Sequence, residues 1–120
     1  MARYTPSRMS KGEKAIYGFL LKAVGRNHFI CQAARRIVVP FYKGTVFFDF
    51  FVPPNTYIEF DGTQHEQFNK HFHRTFGTFG KQKLRDRAKD LWCQKHGFHL
   101  IRCHNMKEFR EQWRALNGQT

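Results

Sequence analysis

The chain has 120 residues, 41% apolar and 17% aromatic, which allows one domain with one hydrophobic core and excludes two. Twenty-one Lys and Arg stand against nine Asp and Glu, a formal net charge of +12 that points to a polyanionic partner, although ribosomal scaffolds and membrane-surface proteins share this balance. No apolar run approaches the roughly 18 residues of a membrane span. The opening MARYTPSRMSKGEK has no apolar signal stretch, and three scattered cysteines (Cys31, Cys93, Cys103) read as reduced core thiols, so the expected compartment is intracellular, the cytoplasm.

In chain order, residues 1–10 form a basic arm, and the domain is expected over 11–117. Ser10 and Glu13 spell a capping box, and Ala15, Ile16, Phe19, Leu20, Ala23 and Val24 follow at helical spacing, predicting a helix over 11–24. The segment 29–39 is rich in β-branched residues and reads as a first strand limited by Pro40. The run TVFFDFFV (45–52) reads as a second, reversed by Pro53, Pro54 and Asn55 into a third over 57–61. On that third strand Glu59 and Asp61 share the face opposite Ile58 and Phe60. Residues 67–83 interleave Phe with Lys, His, Arg and Gly without a clear period and are expected as a basic loop or flap. Leu84, Ala88, Leu91 and Trp92 predict a helix running to His96, with Gly97 as its left-handed cap. A strand over 98–103 follows, then a terminal helix started by Asn105 and Glu108 and marked by Phe109, Trp113 and Leu116. The fold class is α/β, a small mixed sheet of about four strands flanked by helices.

Three of the nine acids, Asp49, Glu59 and Asp61, lie on the two strands richest in apolar residues. A carboxylate there loses several kcal/mol of hydration unless a cation, metal or water faces it. If the turn at Pro53 and Pro54 pairs the strands, Asp49 approaches Glu59 across the ladder. Hard oxygen donors gathered this way suit Mg²⁺ or Mn²⁺. Such an ion polarises a phosphate and activates water, which makes phosphodiester hydrolysis the natural chemistry. The plain alternative is that each acid pairs with one of the many basic residues.

The strings Asp49-Phe50-Phe51, Ile58-Glu59-Phe60-Asp61-Gly62-Thr63-Gln64-His65, Asp86 with Lys89, and Gly97-Phe98-His99-Leu100-Ile101-Arg102 resemble the PD-(D/E)XK nucleases. They are most similar to the branch of very-short-patch-repair endonucleases and related phage homing endonucleases, over about 13–102. The resemblance implies a restriction-endonuclease-like core and a Mg²⁺- or Mn²⁺-dependent DNA endonuclease of a bacterial or phage-infected cell, a monomer that nicks or a homodimer. By it Asp49, Glu59 and the Phe60 carbonyl are metal ligands. Asp61 stands where many members carry a Lys, which leaves open whether it binds metal and whether Lys89 supplies the cation from its helix. His65 would move protons, and Glu13 and Asp86 would reach the site from flanking helices. Glu13 is equally explained as a helix cap, and Asp86 as a partner of Arg85 or Lys89.

Arg35, Arg36, Lys43, Lys70, Arg74, Lys81, Lys83, Arg85, Arg87 and Lys89 are the candidate phosphate contacts. A zinc site from Cys93, His96, His99, Cys103 and His104 lacks matched ligand pairs, and His65, Asn69, His71 and His73 are too closely spaced for a His-Asn-His nuclease. A non-catalytic basic nucleic-acid-binding domain and a structure-specific nuclease on RNA or branched DNA are the alternatives.

Overall fold

Ser10 starts the first helix through the expected capping box. Its Oγ accepts from the Glu13 amide (3.2 Å) while Glu13 Oε1 accepts from the Ser10 amide (3.1 Å), so two otherwise unbonded amides are satisfied reciprocally. The computed structural model of the chain describes residues 9–62 and 76–118, with 76–79 as backbone alone. Helix α1 (Lys11–Ala23) is followed by a single 3-10 turn (Arg26–His28) and strands β1 (Ile30–Val39), β2 (Tyr42–Val52) and β3 (Thr56–Phe60). Helix α2 (Phe76–His96), strand β4 (His99–Cys103) and helix α3 (Met106–Leu116) complete the order. The sheet runs β1-β2-β3-β4, antiparallel across the first two pairs and parallel between β3 and β4. It is the mixed four-stranded α/β arrangement that the strand and helix periods imply.

Helices cover both faces. Ile16 and Leu20 of α1 and Phe109 and Trp113 of α3 bury against Phe50, Val52, Ile58 and Ile101. On the other face Ala88 and Cys93 of α2 bury against Ile37, Val39, Val46, Phe48 and Tyr57. Each such large apolar side chain contributes about 1.5–3 kcal/mol when fully buried, which is what holds three helices on one small sheet. Val46 and Phe48 belong to the α2 side and Phe50 and Val52 to the α1/α3 side, although all four are even positions of β2. The strand therefore changes faces at Asp49. Across from it, the β1–β2 ladder passes from Cys31–Phe50 to Ala33–Phe48 and skips Gln32, whose φ is 51°.

One boundary differs markedly from expectation. Helix α2 begins at Phe76 rather than 84, so the second part of the expected 67–83 flap is helical. From Gly80 on it carries exposed side chains at Lys81, Lys83, Leu84 and Arg85, and Leu84, expected on the buried stripe, is 39% exposed. A helix stretch with no buried face leaves no period in the sequence. Its far end behaves as expected: Gly97 has φ 73°, and the Phe98 amide donates to the Cys93 carbonyl (2.9 Å). Residues 1–8 of the basic arm and the flap up to 75 lie outside the described residues. Among the described residues no helix is long and apolar enough to cross a membrane.

Candidate active site

The β2–β3 ladder pairs Val52 with Thr56, Phe51 with Tyr57 and Phe50 with Ile58, then stops. One more step would set Asp49 opposite Glu59. There the backbone amides bond carboxylates instead of carbonyls: the Phe60 amide donates to Asp49 Oδ2 (2.8 Å) and the Asp49 amide to Glu59 Oε2 (3.2 Å). Lys89 enters from α2. Its Nζ donates to the Phe47 carbonyl (2.6 Å) and forms an ion pair with Glu59 Oε1. Glu59 and Lys89 are only 7% and 6% exposed, so each is the other's compensation for lost hydration.

Asp49 is placed differently. Among the described residues no basic side chain stands within ion-pairing distance of it. Burial, then the charge of Glu59, push its pKa up from 3.8 to about 8, with Glu13 adding to the rise and the Phe60 amide and Lys89 opposing it. The strained Gln32 lies alongside. A left-handed non-glycine residue costs on the order of 1–2 kcal/mol, and this one sits where β2 turns Asp49 away from the regular pleat.

A cavity of about 580 Å³ opens over these groups and gathers Glu13, Asp49, Glu59, Asp61, Asp86 and Lys89. The volume is in the range of ligand sites. Glu13 arrives because Gly12 lets α1 begin directly against Phe60, whose ring occupies the space a methyl at Gly12 would need. Asp61 and Asp86 face Arg102 of β4, its Nη1 3.5 Å from Asp61 Oδ2 and 3.6 Å from Asp86 Oδ1, while Nη2 meets Asp90 Oδ1 at 2.8 Å. Burial opposes the guanidinium charge, but Asp90, Asp61 and Asp86 outweigh it, and the pKa of Arg102 is raised. Among the described residues no three His, Cys, Asp or Glu side chains stand close enough to hold a metal ion as they are.

Of the candidate phosphate contacts, Arg85 lines the cavity, and Lys81, Lys83 and Arg87 are exposed elsewhere on α2. Lys89 is internal. Arg35 is turned inward, its Nε donating to Tyr57 Oη (2.7 Å) and its guanidinium stacked 5.0 Å from the Phe51 ring centre. Arg36 and Lys43 are exposed on the β1–β2 hairpin. His65, Lys70 and Arg74 lie outside the described residues. Cys93 and Cys103 are buried, and burial pushes both thiols up to about 12, as core residues require.

Two features in and beside the cavity were not legible as such. His104 lines the cavity, and its amide (2.7 Å) and Nδ1 (3.2 Å) both meet Glu108 Oε1. The hydrogen bond from the His104 amide holds Glu108 below the ordinary carboxylate value. The available signal was a histidine just before a helix cap with a Glu four residues on. The other is Arg102, whose role depends on the parallel pairing that sets it beside Glu59.

No protein-family model, no curated protein and no solved structure matches the chain.

Proposed function

We propose that the protein is a divalent-metal-dependent DNA endonuclease of the PD-(D/E)XK type, with Mg²⁺ or Mn²⁺ as cofactor. The observation that carries the reading is the Asp49–Glu59–Lys89 arrangement where β2 and β3 part: two carboxylates and one lysine from three elements, joined through side-chain bonds at the floor of one cavity. The donor set fits Mg²⁺. That ion needs only one or two carboxylates beside water and substrate phosphate, and the half-buried Asp49 has no basic side chain within ion-pairing distance among the described residues. Asp49 and Glu59 would hold the ion, with the Phe60 carbonyl and Asp61 as further oxygen donors.

When bound, a divalent cation polarises the phosphoryl oxygen and lowers the pKa of water. The protein's own groups do the rest. Lys89 pairs with Glu59 and keeps its carboxylate oriented, and Arg85 at the cavity wall meets a substrate phosphate. Arg102 fixes Asp61 and Asp86 at the cavity wall. His104, steadied by Glu108, and His65 are the imidazoles suited to proton transfer.

One set of contacts favours a second reading, a nucleic-acid-binding domain without catalysis: Glu59 pairs with Lys89, and Asp61 and Asp86 with Arg102. Plasmid nicking separates the two. With Mg²⁺ or Mn²⁺ the parent should nick and EDTA should stop it. Asp49→Ala and Glu59→Ala should each lower the rate at least 100-fold while DNA affinity holds or rises, since negative charge is removed. A parent that leaves plasmid intact with both ions, or variants that cut like the parent, would overturn the nuclease reading.

A further inference from the structure

The β1–β2 hairpin has one covered face and one open face. Ile37, Val39, Val46 and Phe48 point under α2 and are buried. The alternate residues Ala34, Arg36, Val38, Lys43, Thr45 and Phe47 are all exposed, Val38 by 61% and Phe47 by 54%. They pair across the ribbon as Ala34–Phe47, Arg36–Thr45 and Val38–Lys43. The open face thus carries two cations, no acid and a run of apolar and hydroxyl groups. Helices α1 and α3 bury the residues of β2 beyond Asp49 instead, Phe50 and Val52.

This face is continuous with the cavity, because Phe47 belongs to both. Its carbonyl is held by Lys89 while its ring stays exposed, so the inner end of the face is fixed to the Asp49–Glu59 floor.

We infer that the open face of the β1–β2 ribbon is a groove-binding surface for B-form duplex DNA that leads the duplex into the cavity. The inference rests on the endonuclease reading and deepens it by naming the form of the substrate. A two-stranded ribbon fits the major groove of B-DNA, about 12 Å wide, whereas the major groove of A-form RNA is too narrow and deep for side chains to read. From Ala34 to Val38 the face extends ~13 Å, about four base pairs of axial length. Arg36 and Lys43 meet phosphates there. Val38 and Thr45 present methyl and hydroxyl groups to base edges.

The test is binding without cutting: fluorescence anisotropy of a labelled 20-base-pair DNA duplex and the same sequence as duplex RNA, in EDTA, over a salt series. The parent should bind DNA more tightly than RNA. The double variant Arg36→Ala/Lys43→Ala should reduce the slope of log affinity against log salt by about 2, since each phosphate contact contributes ~0.9, and should narrow the DNA–RNA difference. Val38→Asp should weaken DNA binding at least tenfold with thermal unfolding unchanged. A parent that does not bind DNA, equal affinities for the two duplexes, or a slope unaltered in the double variant overturns the inference. So does a Val38→Asp variant that binds DNA normally while sedimentation shows a dimer becoming a monomer, which would make the face a contact between copies. If the ribbon variants bind normally while Asp49→Ala still abolishes nicking, the inference falls and the endonuclease reading stands.

Discussion

Replacing Asp49 by Asn should stabilise the metal-free protein at alkaline pH and leave it nearly unchanged below about pH 4. The sign follows from the raised pKa. Between its ordinary value of 3.8 and about 8 the folded protein holds a proton on Asp49 that the unfolded chain releases. The stability this group supplies is therefore fully present below about pH 4 and lost as pH rises towards 8. The interval spans roughly four pH units, and at ~1.4 kcal/mol per unit the ionised carboxylate would cost on the order of 5 kcal/mol, an upper bound since water in the cavity relieves part of it. Asn keeps an oxygen to accept from the Phe60 amide, as Asp49 Oδ2 does at 2.8 Å, and carries no charge. Urea unfolding of parent and variant at pH 5, 6.5 and 8, in EDTA, reads the difference. The variant should gain a few kcal/mol at pH 8, which for a domain of this size raises the melting temperature by ~10 °C. In the parent, Mg²⁺ should stabilise more at pH 8 than at pH 5. Parallel stability–pH curves for parent and variant would refute the account of the Asp49 environment.

Lys89→Met should cost about 3–5 kcal/mol in the same unfolding assay, because it strands the buried Glu59 charge. Adding Glu59→Gln should restore more than half of that, and a double variant no better than the single would show that the pair is not coupled. Gly12→Ala should lower stability by ~1–3 kcal/mol, since its methyl overlaps the Phe60 ring. Gly18→Ala in the same helix meets nothing within 4 Å and should be neutral or stabilising by up to ~1 kcal/mol in thermal unfolding.

What the sequence revealed is what local chemistry specifies. The Ser10–Glu13 box and the Asn105–Glu108 pair define helix starts through bonds spanning three residues, and both form as read. The strand alternation and the proline turn at Pro53 and Pro54 fix β2 against β3 and bring Asp49 towards Glu59. What was hidden is non-local. The start of α2 left no pattern: from Gly80 to Arg87 no side chain of the helix is buried. By resemblance Lys89 is left open as a cation supplied from α2, but its pairing with Glu59 depends on the approach of that helix to the parted strands. Arg102 lies far along the chain from Asp61, and its clamp on three acids depends on β4 docking parallel to β3. Arg35 shows the converse: a basic residue read as a phosphate contact is engaged by Tyr57 and Phe51.

The charge balance of the cavity connects the two proposals. Among the described residues five acids line it against three bases, Lys11, Arg85 and Lys89, with Arg102 paired to Asp61 and Asp86, so the lining has more acids than bases once Asp49 ionises, in a chain whose net charge is +12. A phosphate entering alone would be repelled at short range while the basic surroundings attract the rest of the duplex. On the proposed function a divalent ion would offset that excess, and the phosphate itself would supply oxygens the protein's donor set lacks. On this argument cation and substrate favour each other's binding, and affinity measured without metal should come from the rim and the ribbon rather than the cavity floor. If the proposed function holds, the floor can keep a carboxylate that is costly by itself, because its cost would fall in the states in which the ion and the phosphate are present.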